Sequence, residues 1–177
     1  MKQSKVSIGL INPKSPENVS SVMRTAGNFR VDSVIYTGKR YPRAVKLNSC
    51  TVDMSRKLSK NIPLSGVTDL IDDAPENSKI VCIELAENAI ALPEYLHPDN
   101  AFYIFGPEDG SISQQVIDRA DAVVYVPTVG CMNLAATVTV VLYDRLSKFS
   151  QTAGKAFDDN ELIRHSRDIN NSLKVGD

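Results

Sequence analysis

The sequence predicts an α/β fold with a mainly parallel sheet and helices on both faces. Short apolar segments typical of strands alternate along the chain with longer segments of helical spacing, as in parallel sheets. The length of 177 residues fits one domain, and contents of 42% hydrophobic and 23% charged residues are those of an ordinary globular protein. We expect residues 1–150 to form the main domain and residues 151–177 to form a linker and a helix packed on it.

Five apolar segments predict the strands of the sheet. Each is short, contains β-branched or aromatic residues, and is bounded by polar or turn-forming residues. The segments are KVSIGLI (5–11), DSVIYTG (32–38), KIVCIEL (79–85), AFYIF (101–105) and AVVYV (122–126). In an open parallel sheet, ligands bind at the carboxyl ends of the strands, so the residues that follow these segments are candidates for a site.

The first helix is predicted from a capping pattern directly after the first strand. Ser15 suits the N-cap, Pro16 suits the first helical position, and Glu17 places an acid in the first turn. Apolar residues then recur at helical spacing as far as Phe29, and a turn around Arg30 ends the helix.

The remaining helices are predicted from weaker patterns. Residues 38–66 are polar and basic, and we expect a loop that contains a short helix over residues 51–58. The other helices are predicted over residues 67–74, 114–120 (capped by Ser113), 134–149 and 158–175 (capped by Asp158 or Asp159), with residues 151–157 as a linker. Residues 134–149 are rich in β-branched side chains, yet their length and apolar spacing favour a buried helix. A second subunit is one candidate for the surface against which this helix is buried.

Composition excludes several classes of function. The three cysteines are widely separated and neither histidine pairs with one at ligand spacing, so we expect neither a disulfide framework nor a metal site. No apolar run approaches the ~20 residues of a membrane span, and the first residues lack a secretory pattern, so we expect a cytoplasmic protein with no membrane partner. Glycine-rich dinucleotide and P-loop motifs and a nucleophile elbow do not occur in the sequence.

The charge is unevenly distributed, although the formal net charge is only −1. Between residues 39 and 60 there are seven basic residues and one acid, whereas between residues 69 and 121 there are twelve acids and two basic residues. Such asymmetry is typical of a protein with one phosphate-facing surface, although a solvated loop with scattered lysines would look similar.

Three segments at strand ends carry the chemistry, namely residues 12–30, 105–113 and 126–138. Asn18 and Arg24 lie near the start of the first helix, where free backbone N–H groups attract anions. Gly106 and Gly110 permit close approach of the backbone to a ligand.

Together these segments resemble the SpoU/TrmH family of S-adenosylmethionine-dependent RNA 2′-O-ribose methyltransferases, over roughly residues 5–149. The family motifs resemble N-x-G-x-x-x-R-T-A, F-G-x-E-x-x-G and S-x-N-L/V-S-x-A, and they are matched by NVSSVMRTA (18–26), FGPEDG (105–110) and CMNLAAT (131–137). The resemblance implies a knotted α/β fold, a homodimer, S-adenosylmethionine as cofactor and RNA as partner, with tRNA favoured over rRNA because no large RNA-binding extension precedes the domain.

The resemblance also implies roles for individual residues. The implied catalytic residues are Arg24, Asn18, Glu108 and Asn133. The implied cofactor-binding residues are Leu85, Gly106, Val126, Met132 and Leu134. Contacts with RNA phosphate are expected from Cys131, Lys39, Arg40 and Arg43. A guanidinium, with a pKa above ~12, is a poor base, so we favour Arg24 as a stabiliser of a developing alkoxide.

Two departures from the family motifs leave alternatives open. Cys131 and Ala135 stand where the third motif has serines, and a thiol is a weaker hydrogen-bonding group than a hydroxyl. A relative that binds RNA and cofactor without efficient turnover is therefore one alternative, and an unrelated α/β phosphate-binding enzyme is another. Residue by residue, Arg24 could be a surface arginine paired with Glu17 or Asp32, and Glu108 could be a simple turn residue.

Overall fold

The computed structural model describes residues 4–48, 59–152 and 160–176. Its strands are β1 Val6–Leu10, β2 Ser33–Tyr36, β3 Leu64–Gly66, β4 Lys79–Ile83, β5 Ile90–Ala91, β6 Ala101–Phe105 and β7 Ala122–Tyr125. Its helices are α1 Pro16–Asn28, α2 Arg40–Asn48, α3 Gln114–Ile117, α4 Leu134–Thr152 and α5 Asn160–Ser166, with a single 3-10 turn at Leu92–Glu94.

The strands form one sheet in the order β3-β2-β1-β6-β4-β7-β5, and every strand pair in the described residues is parallel. The predicted fold class is confirmed. All five residues of β6 are buried, because β6 lies in the middle of the sheet between β1 and β4. The carboxyl ends of β1, β4, β6 and β7 therefore meet at one edge of the sheet.

Alternating side chains of the strands divide the core between the two faces. Ile8, Val81 and Tyr103 join the cluster beneath α1 and α4. Cys82 and Phe102 belong to the second cluster, which α3 and the turns of residues 67–74 cover on the opposite face. The expectation of helices on both faces is confirmed, while the knot implied by the resemblance stays a prediction.

Helix α1 begins as the capping pattern predicts. The Ser15 hydroxyl accepts a hydrogen bond from the backbone N–H of Asn18, and Pro16 occupies the first turn. The buried face of the helix consists of Val19, Val22, Met23 and Ala26. Arg30 follows the helix with a φ of 54°, which confirms the turn expected there.

The segment between β2 and β4 differs from the prediction. Residues 40–48 form α2 instead of a loop, because Tyr41 and Val45, four residues apart, pack on the core. The short strand β3 adds to the sheet edge, while the helix predicted over residues 51–58 lies outside the described residues. Residues 67–74 form turns instead of a helix, because the Asp69 carboxylate accepts hydrogen bonds from the backbone of Ile71 and Asp72.

A largely buried polar network holds α4 against the chain that precedes β6. The His97 ring lies 2.6 Å from the Tyr103 hydroxyl and 2.8 Å from an Asp144 oxygen, which also contacts Lys148. Burial raises the pKa of Tyr103 to about 12 and lowers that of His97. The guanidinium of Arg145 donates to the backbone oxygens of residues 98 and 99, so the middle of α4 is fixed relative to the sheet.

Helix α4 contains the predicted residues 134–149 and continues to Thr152. The hydroxyls of Thr137 and Thr139 donate to backbone oxygens one turn earlier, so these polar groups are satisfied within the helix. The burial expected for this helix is partial, since Tyr143 and Leu146 remain 63% and 43% exposed.

The C-terminal helix is shorter than predicted. Its described part is Asn160–Ser166, which ends at residue 166 instead of residue 175 and has no buried residue. Residues 153–159, which contain most of the expected linker and both candidate caps, lie outside the described residues. The packing of residues 151–177 on the main domain stays a prediction.

Candidate active site

One pocket opens at the carboxyl ends of β4, β6 and β7, with a cavity volume of about 160 Å³. Its walls come from three stretches of chain that are far apart in sequence, residues 83–85, 105–110 and 125–137. All five residues that the sequence suggests for cofactor binding line it, namely Leu85, Gly106, Val126, Met132 and Leu134. They meet because the parallel strands end at the same edge of the sheet.

The Glu108 carboxylate joins the loop after β6 to the start of α1. One oxygen accepts from the backbone N–H of Lys14 at 2.8 Å. The other accepts from the backbone N–H of Ser15 at 3.0 Å and from the side-chain amide of Asn18 at 3.1 Å. Burial of Glu108 opposes ionisation, but the hydrogen bonds from Asn18 and the two backbone groups outweigh it, so its pKa lies below the ordinary value.

Asn18 extends this connection to α4. Its side-chain oxygen accepts a hydrogen bond of 2.9 Å from the Asn133 amide. The side-chain oxygen of Asn133 accepts from the backbone N–H of Ala135 and Ala136, so Asn133 caps α4. Three of the four predicted catalytic residues are thus linked in one chain of hydrogen bonds beside the pocket.

Arg24 is the predicted catalytic residue that this chain of bonds does not include. Its side chain is exposed on α1 and makes no hydrogen bond or ion pair with any described part of the protein. Neither suggested surface partner holds it, because Glu17 bonds Ser15 and Asp32 accepts from the backbone of Val6. The guanidinium is therefore available to an external ligand.

The basic residues after β2 differ in their availability. Lys39 and Arg43 are exposed, whereas Arg40 forms a two-fold hydrogen bond with Asp109 at 2.8 and 2.9 Å. The ammonium of Lys14 lies 3.7 Å from the same carboxylate. The bond from Arg40 lowers the pKa of Asp109 and raises that of Arg40. Arg40 therefore has a partner in the loop that borders the pocket, and phosphate would have to compete with Asp109 for it.

Sequence reasoning missed Glu84 as a site residue. Glu84 lines the pocket, and its two oxygens accept from the backbone N–H groups of Leu85 at 2.9 Å and Ile112 at 2.8 Å. It thereby joins the end of β4 to the loop after β6. The available signal was an acidic residue at the carboxyl end of an apolar strand, KIVCIEL.

A sequence profile of the SpoU rRNA Methylase family matches residues 5–143. The chain belongs to the SpoU rRNA methylase family. Two relatives assigned to the TrmH family of tRNA/rRNA methyltransferases come from Staphylococcus haemolyticus (strain JCSC1435) and Staphylococcus aureus (strain COL), each 26% identical. The matches cover 81% and 84% of this chain but 59% and 63% of the relatives, so the chain spans about three-fifths of their length.

Solved structures show that the fold is shared. The A. aeolicus TrmH/SpoU tRNA modifying enzyme gives a TM-score of 0.70 at 16% identity, over 92% of this chain and 85% of that one. A structure concerned with 2-OH methylation of C/U34 on tRNA gives 0.68 at 18% identity, over 85% and 94%. The SpoU methyltransferase AviRb from Streptomyces viridochromogenes, in complex with AdoMet, gives 0.67 at 17% identity, over 84% and 59%.

In this SpoU-family chain, one of the two residues that depart from the third motif lies at the pocket wall. Cys131 is an exposed thiol that lines the pocket, and Ala135 is buried in the first turn of α4. The hydroxyl missing at residue 135 therefore belongs to the core side of the helix, while the thiol at residue 131 faces solvent. Of the two departures, only Cys131 is accessible to a bound RNA.

Two further features are absent from the described residues of this SpoU-family chain. No cluster of histidine, cysteine and acidic side chains there is suited to hold a metal ion. No helix in the same ranges is both long and apolar enough to cross a membrane.

Proposed function

We propose that this chain transfers a methyl group from S-adenosylmethionine to a ribose 2′-hydroxyl of RNA in the cytoplasm, with tRNA favoured over rRNA. The observation that carries the proposal is the chain of hydrogen bonds from Glu108 through Asn18 to Asn133. It brings together one residue from each of the three family motifs at the mouth of one pocket. The tRNA preference is supported by the structure concerned with tRNA methylation, because the match covers 94% of that chain.

The pocket fits S-adenosylmethionine. Leu85, Val126, Met132 and Leu134 offer apolar surface for an adenine, while the charged side chains among the described lining residues are Glu84 and Glu108, both acids. A wall of this composition favours a cationic nucleoside over an anionic one. When bound, S-adenosylmethionine would supply a methyl group on a positively charged sulfur, which keeps the electron pair of the broken C–S bond. The AdoMet complex of AviRb supports this assignment.

The residues of the first helix would prepare the ribose hydroxyl. Arg24 stays protonated at neutral pH, so its charge would stabilise the oxygen as it loses its proton to a nearby RNA phosphate and forms the new C–O bond. Asn18 would position the hydroxyl, with its amide fixed by Glu108 and Asn133.

We propose a homodimer as the working form. Tyr143 and Leu146 leave an apolar face on α4, and Thr25 and Thr139 bond across the contact of α1 with α4. A second copy would bury this face, and Arg24, which is exposed on the same pair of helices, would then lie near the interface. Light scattering at the protein concentrations of the activity assay measures the molecular mass, which should be that of two chains.

RNA binding would use the basic side chains at the start of α2 and near it. Lys39 and Arg43 are exposed there, and Arg40 and Lys14 lie close by. Contacts of this kind release counterions, so the affinity for RNA is expected to fall as salt rises. Binding that did not change with salt would contradict this assignment.

Incubation of the purified protein with methyl-labelled S-adenosylmethionine and total RNA tests the proposal. Labelled 2′-O-methylnucleosides after digestion are the expected product, with separated tRNA and rRNA fractions as parallel substrates. Cofactor and RNA binding without label would favour the second candidate, a relative impaired by Cys131. Absence of cofactor binding would contradict both candidates.

A further inference from the structure

Glu84 is one of the two acids that line the pocket, and it has no individual role in the proposed transfer. It follows β4 directly, is half-buried, and reaches the wall formed by the loop after β6. A Cβ atom at Gly106 would lie 3.5 Å from a Glu84 oxygen and 3.3 Å from the side chain of Ile112. A side chain at residue 106 would therefore contact the carboxylate, and the glycine leaves that approach to it open.

The two acids of the pocket differ in how far the protein satisfies them. Glu108 accepts hydrogen bonds from two backbone N–H groups and from the Asn18 amide. Within the described residues Glu84 accepts two, one at each oxygen, both from backbone N–H groups. A carboxylate has about four acceptor sites, so Glu84 keeps both charge and acceptor capacity for a ligand.

We propose that Glu84 is a specificity-determining residue that makes the pocket prefer S-adenosylmethionine over S-adenosylhomocysteine. This inference rests on the proposed function. The two ligands share the adenosine and the amino acid, but only the first has a positively charged sulfur. A half-buried carboxylate attracts the positive sulfur more strongly than a solvated carboxylate does, because water and salt screen its charge less. Glu84 thus favours release of the spent cofactor.

The residue would act through its charge and not only through the loops that it connects. If Glu84 merely held the loop after β6 against β4, its loss would weaken the binding of both ligands equally, because both need the same pocket walls. Loss of a contact between Glu84 and the ribose hydroxyls of the ligand would also weaken the binding of both equally. A charge effect, by contrast, changes the ratio of the two dissociation constants, because only S-adenosylmethionine carries a positive charge on sulfur.

Calorimetric titration of both ligands into the wild type and into Glu84→Gln tests the inference. We expect Glu84→Gln to raise the Kd of S-adenosylmethionine about tenfold more than the Kd of S-adenosylhomocysteine. Glu87→Gln is the matched control, because Glu87 is an exposed acid in the same loop that does not line the pocket. It should leave both constants unchanged.

Glu84→Asp keeps the charge while shifting the backbone contacts, so it should retain the wild-type ratio even if both affinities fall. Thermal unfolding checks that the variants are folded, and Glu84→Ala replaces Glu84→Gln if the latter does not fold. An unchanged ratio in the uncharged variant would overturn the role of Glu84. Failure of the wild type to bind either ligand would instead overturn the proposed function.

Discussion

The Asn133 side-chain amide donates a hydrogen bond of 2.9 Å to the side-chain oxygen of Asn18, across 115 positions of sequence. The Asn18 amide nitrogen in turn donates to Glu108. Both ends of one side chain are therefore used to join the start of α1 to the cap of α4 and to the loop after β6. This makes Asn18 the residue on which the relative position of the three motifs depends.

Asn18→Ala should disconnect the motifs while preserving the fold. Loss of the two side-chain hydrogen bonds is expected to lower the free energy of unfolding by about 1 kcal/mol each at most, since Asn18 is only half-buried. Methyl transfer should fall more steeply, by roughly tenfold to a hundredfold, because misplaced groups lose the orientation that catalysis needs. Single-turnover transfer and urea unfolding measure the two effects.

Ser21→Ala is the matched control for that variant, because Ser21 is exposed one turn further along α1 and its hydroxyl makes no hydrogen bond within the described ranges. It should retain both activity and stability. Full activity in Asn18→Ala would show that the hydrogen bonds do not organise the site.

Local signals explain what the sequence predicts correctly. The capping pattern at Ser15 and Pro16 acts within one turn, and the strand patterns place the loops after β4, β6 and β7 at one sheet edge. These signals predict which loops border the pocket, while the five cofactor-binding residues among its lining are implied by the family resemblance. The bonds between Asn18, Glu108 and Asn133 follow from residues of the family motifs being brought to the same edge.

Long-range contacts explain what the sequence does not predict. Helix α2 depends on packing of Tyr41 and Val45 against the core, and in a basic segment this single apolar pair is a weak signal. The Arg40–Asp109 pair joins positions 69 residues apart, so Arg40 looks like a free cation in the sequence. Glu84 belongs to no motif, and only the fold shows that it faces the pocket.

Arg24→Ala should abolish methyl transfer and leave the fold and the affinity for cofactor near normal. The guanidinium is exposed and makes no bond within the described chain, so its loss should change the free energy of unfolding by less than about 0.5 kcal/mol. Lys5→Ala removes an exposed charge at the opposite edge of the sheet and serves as control. Transfer that survived in Arg24→Ala would show that its assigned role is wrong.

Cys131→Ser should leave transfer equal to the wild type or raise it. The side chain is exposed at the pocket wall, so the change should not affect stability, and a hydroxyl is the stronger hydrogen-bonding group toward phosphate. Transfer rates at several RNA concentrations separate an effect on RNA binding from an effect on turnover. A collapse of activity would mean that the thiol has a role of its own.

Asp109→Asn should strengthen RNA binding. The Asp109 carboxylate holds Arg40 at 2.8 Å and lies 3.7 Å from the Lys14 ammonium, so removing its charge releases both cations. Each additional phosphate contact should steepen the dependence of log affinity on log salt by about 0.7 to 0.9. Fluorescence anisotropy with a tRNA transcript at several salt concentrations measures both quantities.

The control for Asp109→Asn is Asp118→Asn, which removes an exposed acid next to α3, the helix that covers the other face of the sheet. It should change RNA affinity little. An unchanged affinity and salt slope in Asp109→Asn would show that Arg40 and Lys14 do not meet RNA phosphate.

Glu108→Gln should destabilise the protein at neutral pH but not in acid. Burial opposes ionisation of Glu108, yet hydrogen bonds from Asn18, Ser15 and Lys14 hold its folded-state pKa below the ordinary value of 4.5. A carboxyl with a depressed pKa stabilises the folded state above its unfolded pKa, and this stabilisation is lost as pH falls through the folded value. The difference in unfolding free energy between wild type and variant should therefore be largest near pH 7 and shrink below about pH 4.5.

Urea unfolding across this pH range measures the difference. Glu94→Gln is the control, because Glu94 is an exposed acid outside the site. A difference that stayed constant with pH would mean that the Glu108 charge does not hold α1 to the loop after β6.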